Sequence, residues 1–184
     1  MLRALEAVGV ATRPAAVVIA IFSHDFYRVI PEASGVGFPL PRYALQDGAL
    51  VTVPYPTRPP WMRLALVQGA RYGWFRYTAA TFDLNAAILG RVRTLGREHG
   101  FTPAVVFIPG PRQRFDDRLR RAWLARWCGR AGVPFLDLTD AMDAGGGLRL
   151  YLEDDGHWNA KGHDVAAAAL RPLVQRLLDG DGHA

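Results

Sequence analysis

The run Ala16-Val17-Val18-Ile19-Ala20-Ile21-Phe22 constrains this chain more than any other stretch. Seven successive apolar residues without polar alternation do not suit a strand with one wet face. They suit a strand buried on both faces, the condition of a parallel sheet covered by helices. A second run, Ala104-Val105-Val106-Phe107-Ile108, stops at Pro109-Gly110-Pro111, and Val133-Pro134-Phe135-Leu136-Asp137-Leu138 predicts a short third strand. Helical patterns lie between and around these strands. One covers residues about 2–11 and stops before Pro14; another runs from about Thr81 to His99, with Gly100 in the position that ends a helix. A third spans about Asp116–Ala131, with Leu119, Ala122, Trp123 and Trp127 on its apolar face. The last runs from about Asn159 to Leu178. Its face is Val165, Ala169, Leu170, Leu173, Val174 and Leu177, close to the helical period. Strands alternating with helices predict a three-layer α/β/α fold with a parallel sheet, in one domain over residues 1–184.

The interval from about residue 30 to residue 77 departs from this rhythm. It is rich in Pro and Gly and reads as an irregular insertion. Within it, Tyr43 to Val53 predicts a hairpin turning at Asp47-Gly48. The stretch is too long for a plain connection, so the expectation is that it covers a site.

Charge bounds the partners. The net charge is +5 and the pI about 9.9, which raises nucleic acid as a partner. However, Lys161 is the only lysine among 22 basic residues, which matches a GC-rich coding bias. The arginines are dispersed; the densest group is Arg112, Arg114, Arg118, Arg120 and Arg121, without an aromatic-interleaved stripe. No nucleic-acid partner is therefore expected. The single cysteine, Cys128, excludes an internal disulfide and reads as a buried thiol beside Trp123, Leu124 and Trp127. No run of roughly 20 apolar residues exists to span a membrane. The first residues lack the apolar core of a signal peptide, and the compartment is left open.

In parallel α/β folds, sites form at the carboxyl ends of the strands. Three polar groups fall there: Ser23-His24-Asp25, Pro109-Gly110-Pro111-Arg112, and the loop Glu153-Asp154-Asp155-Gly156-His157-Trp158-Asn159. In that loop a histidine follows two carboxylates. A carboxylate that fixes an imidazole's tautomer makes it a useful general base, and either Asp154 or Asp155 can be that partner of His157. Asn159 reads as the cap of the last helix, Trp158 as packing, and Asp25 and Asp137 as turn or cap residues. His163 lacks a third spaced ligand, so no metal is expected.

Together these blocks resemble the latter two-thirds of an SGNH (GDSL-type) hydrolase. The stretch Asp154 to His163 resembles that family's final block, which carries the catalytic Asp and His. Phe22-Ser23-His24-Asp25 resembles the third block, usually Gly-x-Asn-Asp, and places His24 where the family has an oxyanion-donating Asn. The resemblance implies an esterase acting on ester or acetyl groups of a small-molecule or carbohydrate substrate, without metal or organic cofactor. The spacing Asp-x-x-His, common among the esterases, selects Asp154. Asp-x-His-Trp, similar to related polysaccharide O-acetyltransferases, selects Asp155. Two departures qualify it. His24 stands where the family has its Asn, and no Gly-Asp-Ser block is found; of the two serines, Ser23 lacks the Gly-flanked turn that presents a nucleophile, and Ser34, in Ala33-Ser34-Gly35, is a loop serine with no better claim. The expectation is a sheet lacking the family's first two strands, no serine-dependent hydrolysis by this chain alone, and self-association through an exposed sheet edge. A non-catalytic α/β binding domain that has discarded its nucleophile is the alternative.

Overall fold

The computed structural model describes residues 1–29, 42–54, 61, 64–75, 77–112, 115–153 and 155–180. The chain divides into two compact units, Met1–Ser23 with Val92–Ala184, and His24–Arg91.

The first unit is built on a three-stranded parallel sheet. Its strands are β1 (Ala16–Phe22), β4 (Thr102–Ile108) and β5 (Phe135–Asp137), in the order β1-β4-β5. Val18 pairs with Ala104, Ala20 with Val106, and Val106 with Leu136, so these side chains share one face of the sheet. That face is covered by α6 (Thr139–Gly145) and α7 (Ala160–Leu178). Ala104 and Val106 pack with Leu138, Met142, Leu150, Ala166, Leu173 and Leu177. The opposite face carries Ile19, Ile21, Val105 and Phe107. Over it lies α5 (Phe115–Ala131), whose Arg121 Nε sits 3.1 Å from Asp137 Oδ2. Burying each of Val105, Val106 and Phe107 contributes roughly 1.5–3 kcal/mol, and β4 is the one strand covered on both sides.

β1 differs from the expectation of burial on both faces. Ile19 and Ile21 are buried, but Val18 and Ala20 are exposed. The reason is position. A helix is about 10 Å wide and strands lie about 4.8 Å apart, so one helix roofs about two strands. The apolar cluster under α7 takes in Ala104 and Val106 of β4, Leu136 of β5 and Ala16 at the start of β1, and Val18 and Ala20, further along this edge strand, lie outside it.

Several element boundaries shift in the same physical spirit. The first helix, α1 (Leu2–Ala7), gives way at Val8 to a 3-10 turn over Gly9–Thr12 instead of continuing to residue 11. On α5 the buried line is Asp117, Arg120, Leu124 and Cys128, while Ala122 is exposed and Trp123 and Trp127 are half-buried. On α7, Ala166 is buried and Val174 exposed, a rotation that brings the small residue against the sheet. A short α6 and a 3-10 turn, Gly147–Leu150, fill the connection before the His157 loop.

The second unit contains α2 (Asp25–Arg28), the hairpin β2 (Arg42–Gln46) and β3 (Ala49–Val53), α3 (Ala65–Phe75), and most of α4 (Ala79–His99), which runs on into the first unit. The hairpin turns where the sequence predicts it. Asp47 (φ 51) and Gly48 (φ 78) both occupy the left-handed region that a two-residue turn between twisted strands requires. Leu84, Ile88, Leu89 and Phe26 form its core. Buried Asn85 donates to the Phe26 and Thr81 carbonyls, both at 2.8 Å, which ties α4 to the segment after β1. α3 lies inside the interval read as irregular, where the surrounding Pro and Gly mask its helical pattern. No described helix is long and apolar enough to cross a membrane.

Candidate functional site

The candidate loop runs from Tyr151 to Asn159 and is fixed at both ends by backbone. Tyr151 and Trp158 form an antiparallel bridge, Leu152 N donates to the His157 carbonyl at 3.0 Å, and Asn159 N donates to the Leu150 carbonyl at 2.9 Å. Side chains reinforce this frame. Tyr151 Oη donates to the Pro109 carbonyl at 3.0 Å, fastening the loop to the carboxyl end of β4. Burial pushes this phenol above its ordinary pKa, keeping it a donor. Trp158 packs on the apolar cluster under α7 and meets the His163 ring edge-on at 5.6 Å.

Asn159 is the knot. Its Oδ1 accepts from Gly162 N at 3.0 Å, capping α7, and its Nδ2 donates to the carbonyls of Arg149 (2.8 Å) and Tyr151 (3.3 Å). The close approach depends on Gly162, where a Cβ would sit 2.4 Å from the Leu150 carbonyl oxygen and 2.9 Å from Trp158 Cβ. No larger residue fits there without moving the helix off the loop.

Within this frame His157 Nδ1 donates to Asp155 Oδ1, and the same oxygen accepts from the His157 backbone N–H at 3.3 Å. The carboxylate partner assigns the proton to Nδ1 and leaves Nε2 as the acceptor. The His157 side chain is 83% exposed and that of Asp155 53%, so the pair adds only about 0–1 kcal/mol to stability. Its arrangement is that of a solvent-facing base with an orienting acid. Asp154, the competing carboxylate, lies outside the described residues, as does Ser34.

An open cleft of about 760 Å³ adjoins Asp155, and His157 is not among the residues that line it. Arg112, Arg149, Glu153 and Asp155 supply its charged walls, and Pro111, Leu148 and Leu152 its apolar ones. Arg112 follows β4, and Arg149 belongs to the 3-10 turn before the loop. The sequence offers no separate signal for Arg149, Leu148 or Tyr151 as site neighbours, since only the folded loop brings them beside Asp155.

The remaining polar residues fall elsewhere. Ser23 is 2% exposed, and its Oγ accepts from Nη1 of the equally buried Arg120 at 2.7 Å. A hydroxyl so enclosed is not presented to a substrate. His24 is exposed in the turn that leaves β1 and belongs to the second unit. Asp137 is a cap, accepting from Thr139 N at 2.9 Å and Thr139 Oγ1 at 2.5 Å. Burial pushes the Cys128 thiol up to about 12, which removes it as a nucleophile near neutral pH. Among the described residues, no three His, Cys, Asp or Glu side chains converge as metal ligands. Comparison with protein-family models, curated proteins and solved structures yields no match.

Proposed function

We propose that this chain carries the imidazole–carboxylate half of an SGNH-type acyl-transfer site, acting on an ester or acetyl group of a small-molecule or carbohydrate substrate. One observation carries the reading. His157 holds Asp155 through Nδ1 on a stapled loop at the carboxyl edge of a parallel sheet, although the fold gains almost nothing from that pair. In the proposed cycle, His157 Nε2 accepts the proton of an attacking hydroxyl as its oxygen bonds to the acyl carbon. It then returns that proton to the departing alkoxide. Water or a second alcohol enters the acyl intermediate by the same route. Asp155 keeps the ring oriented and balances the imidazolium charge.

The attacking hydroxyl is not Ser23, which is enclosed by the Arg120 contact. In this reading it comes from a segment that joins the sheet beside β1, whose outer edge pairs with no strand among the described residues. A transferase rather than a hydrolase is favoured by one feature. The carboxylate bonded to His157 is two residues before it and a tryptophan follows, the spacing similar to polysaccharide O-acetyltransferases.

The test uses the native gene product and the 184-residue chain side by side. The first should hydrolyse p-nitrophenyl acetate or pass its acetyl group to a sugar, with His157→Ala lowering kcat/KM roughly 10³–10⁴-fold and Asp155→Ala following it. With Asp155 as the orienting carboxylate, Asp154→Asn should change kcat/KM by less than about threefold. The 184-residue chain should take no label from a fluorophosphonate probe. Label on Ser23, or full activity in His157→Ala, sinks the proposal in favour of a different nucleophile or a non-catalytic domain.

A further inference from the structure

The helix α3 inverts the usual surface pattern. Its outward stripe is Leu66, Ala70 and Trp74, spaced one turn apart, with Leu66 85% and Trp74 69% exposed. Among its described side chains, the half-buried ones are Val67 and Arg71. A surface helix of a soluble domain normally shows solvent its polar side. Trp61 and Leu64, close before the helix in sequence, and Tyr77, close after it, are exposed as well. Contiguous exposure of this kind marks a docking surface.

Charge identifies what docks. From Gly48 to Phe82 the chain contains four arginines, Arg58, Arg63, Arg71 and Arg76, and no Asp, Glu or Lys, against a net charge of +5 for the whole chain. Such a stretch repels a second copy of itself and attracts an anionic surface. Tryptophan and tyrosine at the ends of an apolar stripe, in a segment whose only charged residues are arginines, match the interface of a lipid layer. There the rings sit at headgroup level, aliphatic side chains enter the acyl boundary, and guanidinium groups meet phosphates. We infer that α3 seats this protein on an anionic lipid surface, lying along it with Leu66 and Trp74 inserted. An 11-residue helix is far too short to span, so the attachment is peripheral.

Co-sedimentation of the 184-residue chain with vesicles decides the matter, using phosphatidylcholine alone and phosphatidylcholine with about 30% phosphatidylglycerol. The chain should partition at least tenfold more onto the anionic vesicles at low salt and lose that preference as salt rises. Leu66→Glu and Trp74→Glu should each lower partition at least tenfold with unchanged far-UV circular dichroism, because both side chains point outward; Trp74→Phe should retain it. Failure of the parent chain to sediment with either vesicle overturns the inference. So does equal binding to both compositions, or binding indifferent to Leu66→Glu. Vesicle-independent association that Leu66→Glu abolishes would overturn it too, assigning the stripe to protein contact.

Discussion

Replacing Asn159 with alanine tests whether one side chain holds the candidate loop on the scaffold. The substitution removes three hydrogen bonds and leaves two. The backbone bonds from Asn159 N to the Leu150 carbonyl and from His163 N to the Asn159 carbonyl survive, since they use no side-chain atom. Loss of the cap on Gly162 N costs about 1 kcal/mol. The Arg149 carbonyl lies in an exposed setting and finds water at little cost. The Tyr151 carbonyl is part-buried, and its lost partner costs about another 1 kcal/mol. The sum is about 2 kcal/mol, a drop in Tm of about 4–8 °C for a chain of this size. Asn159→Asp keeps the acceptor for Gly162 N and adds a negative charge at a helix N-terminus, but cannot donate, so it should recover roughly half the loss. Differential scanning calorimetry reads the stability. The ¹⁵N shifts of His157 report whether Nδ1 still carries its proton. A Tm for Asn159→Ala within about 1 °C of the parent would refute the knot, because no accounting of these bonds gives so small a change. Equal melting of the Ala and Asp variants would show that the cap on Gly162 contributes nothing.

Two further outcomes follow from the buried groups. Ser23→Ala removes one acceptor of the buried Arg120 guanidinium and should cost about 1–3 kcal/mol in urea unfolding; unchanged stability would contradict the contact, and any loss of catalysis beyond that due to unfolding would restore Ser23 as a candidate. Burial raises the Cys128 pKa from 9.0 to about 12, so the unfolded chain releases this proton first and stability falls as pH climbs through that window; the decline should shrink in Cys128→Ala, and the native thiol should ignore iodoacetamide at pH 8 until denaturant is added.

The apolar runs predict the sheet well because a run of that length has few alternatives. β4 shows the full expectation, and β1, with a similar run, does not. Composition states what a strand can tolerate; its place in the order β1-β4-β5 decides how much of it is roofed. The helices fail in a complementary way. Hydropathy selects Val174 over Ala166 on α7, but a small residue permits the closer approach and takes the buried position. On α5, hydropathy cannot select Asp117 and Arg120, since their burial rests on partners distant in sequence, such as Ser23.

The candidate site was legible to the extent that it is local. The two carboxylates before His157 are equivalent as composition, and only their offset distinguishes them. An aspartate accepts readily from the backbone N–H two residues ahead, because its side chain then closes a ring the size of a backbone turn. Asp155 makes that bond to His157 N, and the same oxygen meets the ring Nδ1, so a single two-residue offset orients both the loop and the imidazole. The cleft walls could not be read in the same way. Arg112 and Arg149 come from different connections, and Tyr151 reaches the Pro109 carbonyl across 42 positions. A nucleophile is a problem of that second kind. A serine must be set against Nε2 by the tertiary fold, and no pattern around His157 can specify where in a chain it arises. Thus the Asp155–His157 geometry, local in sequence, orients an imidazole whose Nε2 is free to accept a proton, while the attacking hydroxyl that the proposed reaction requires is a matter of tertiary placement.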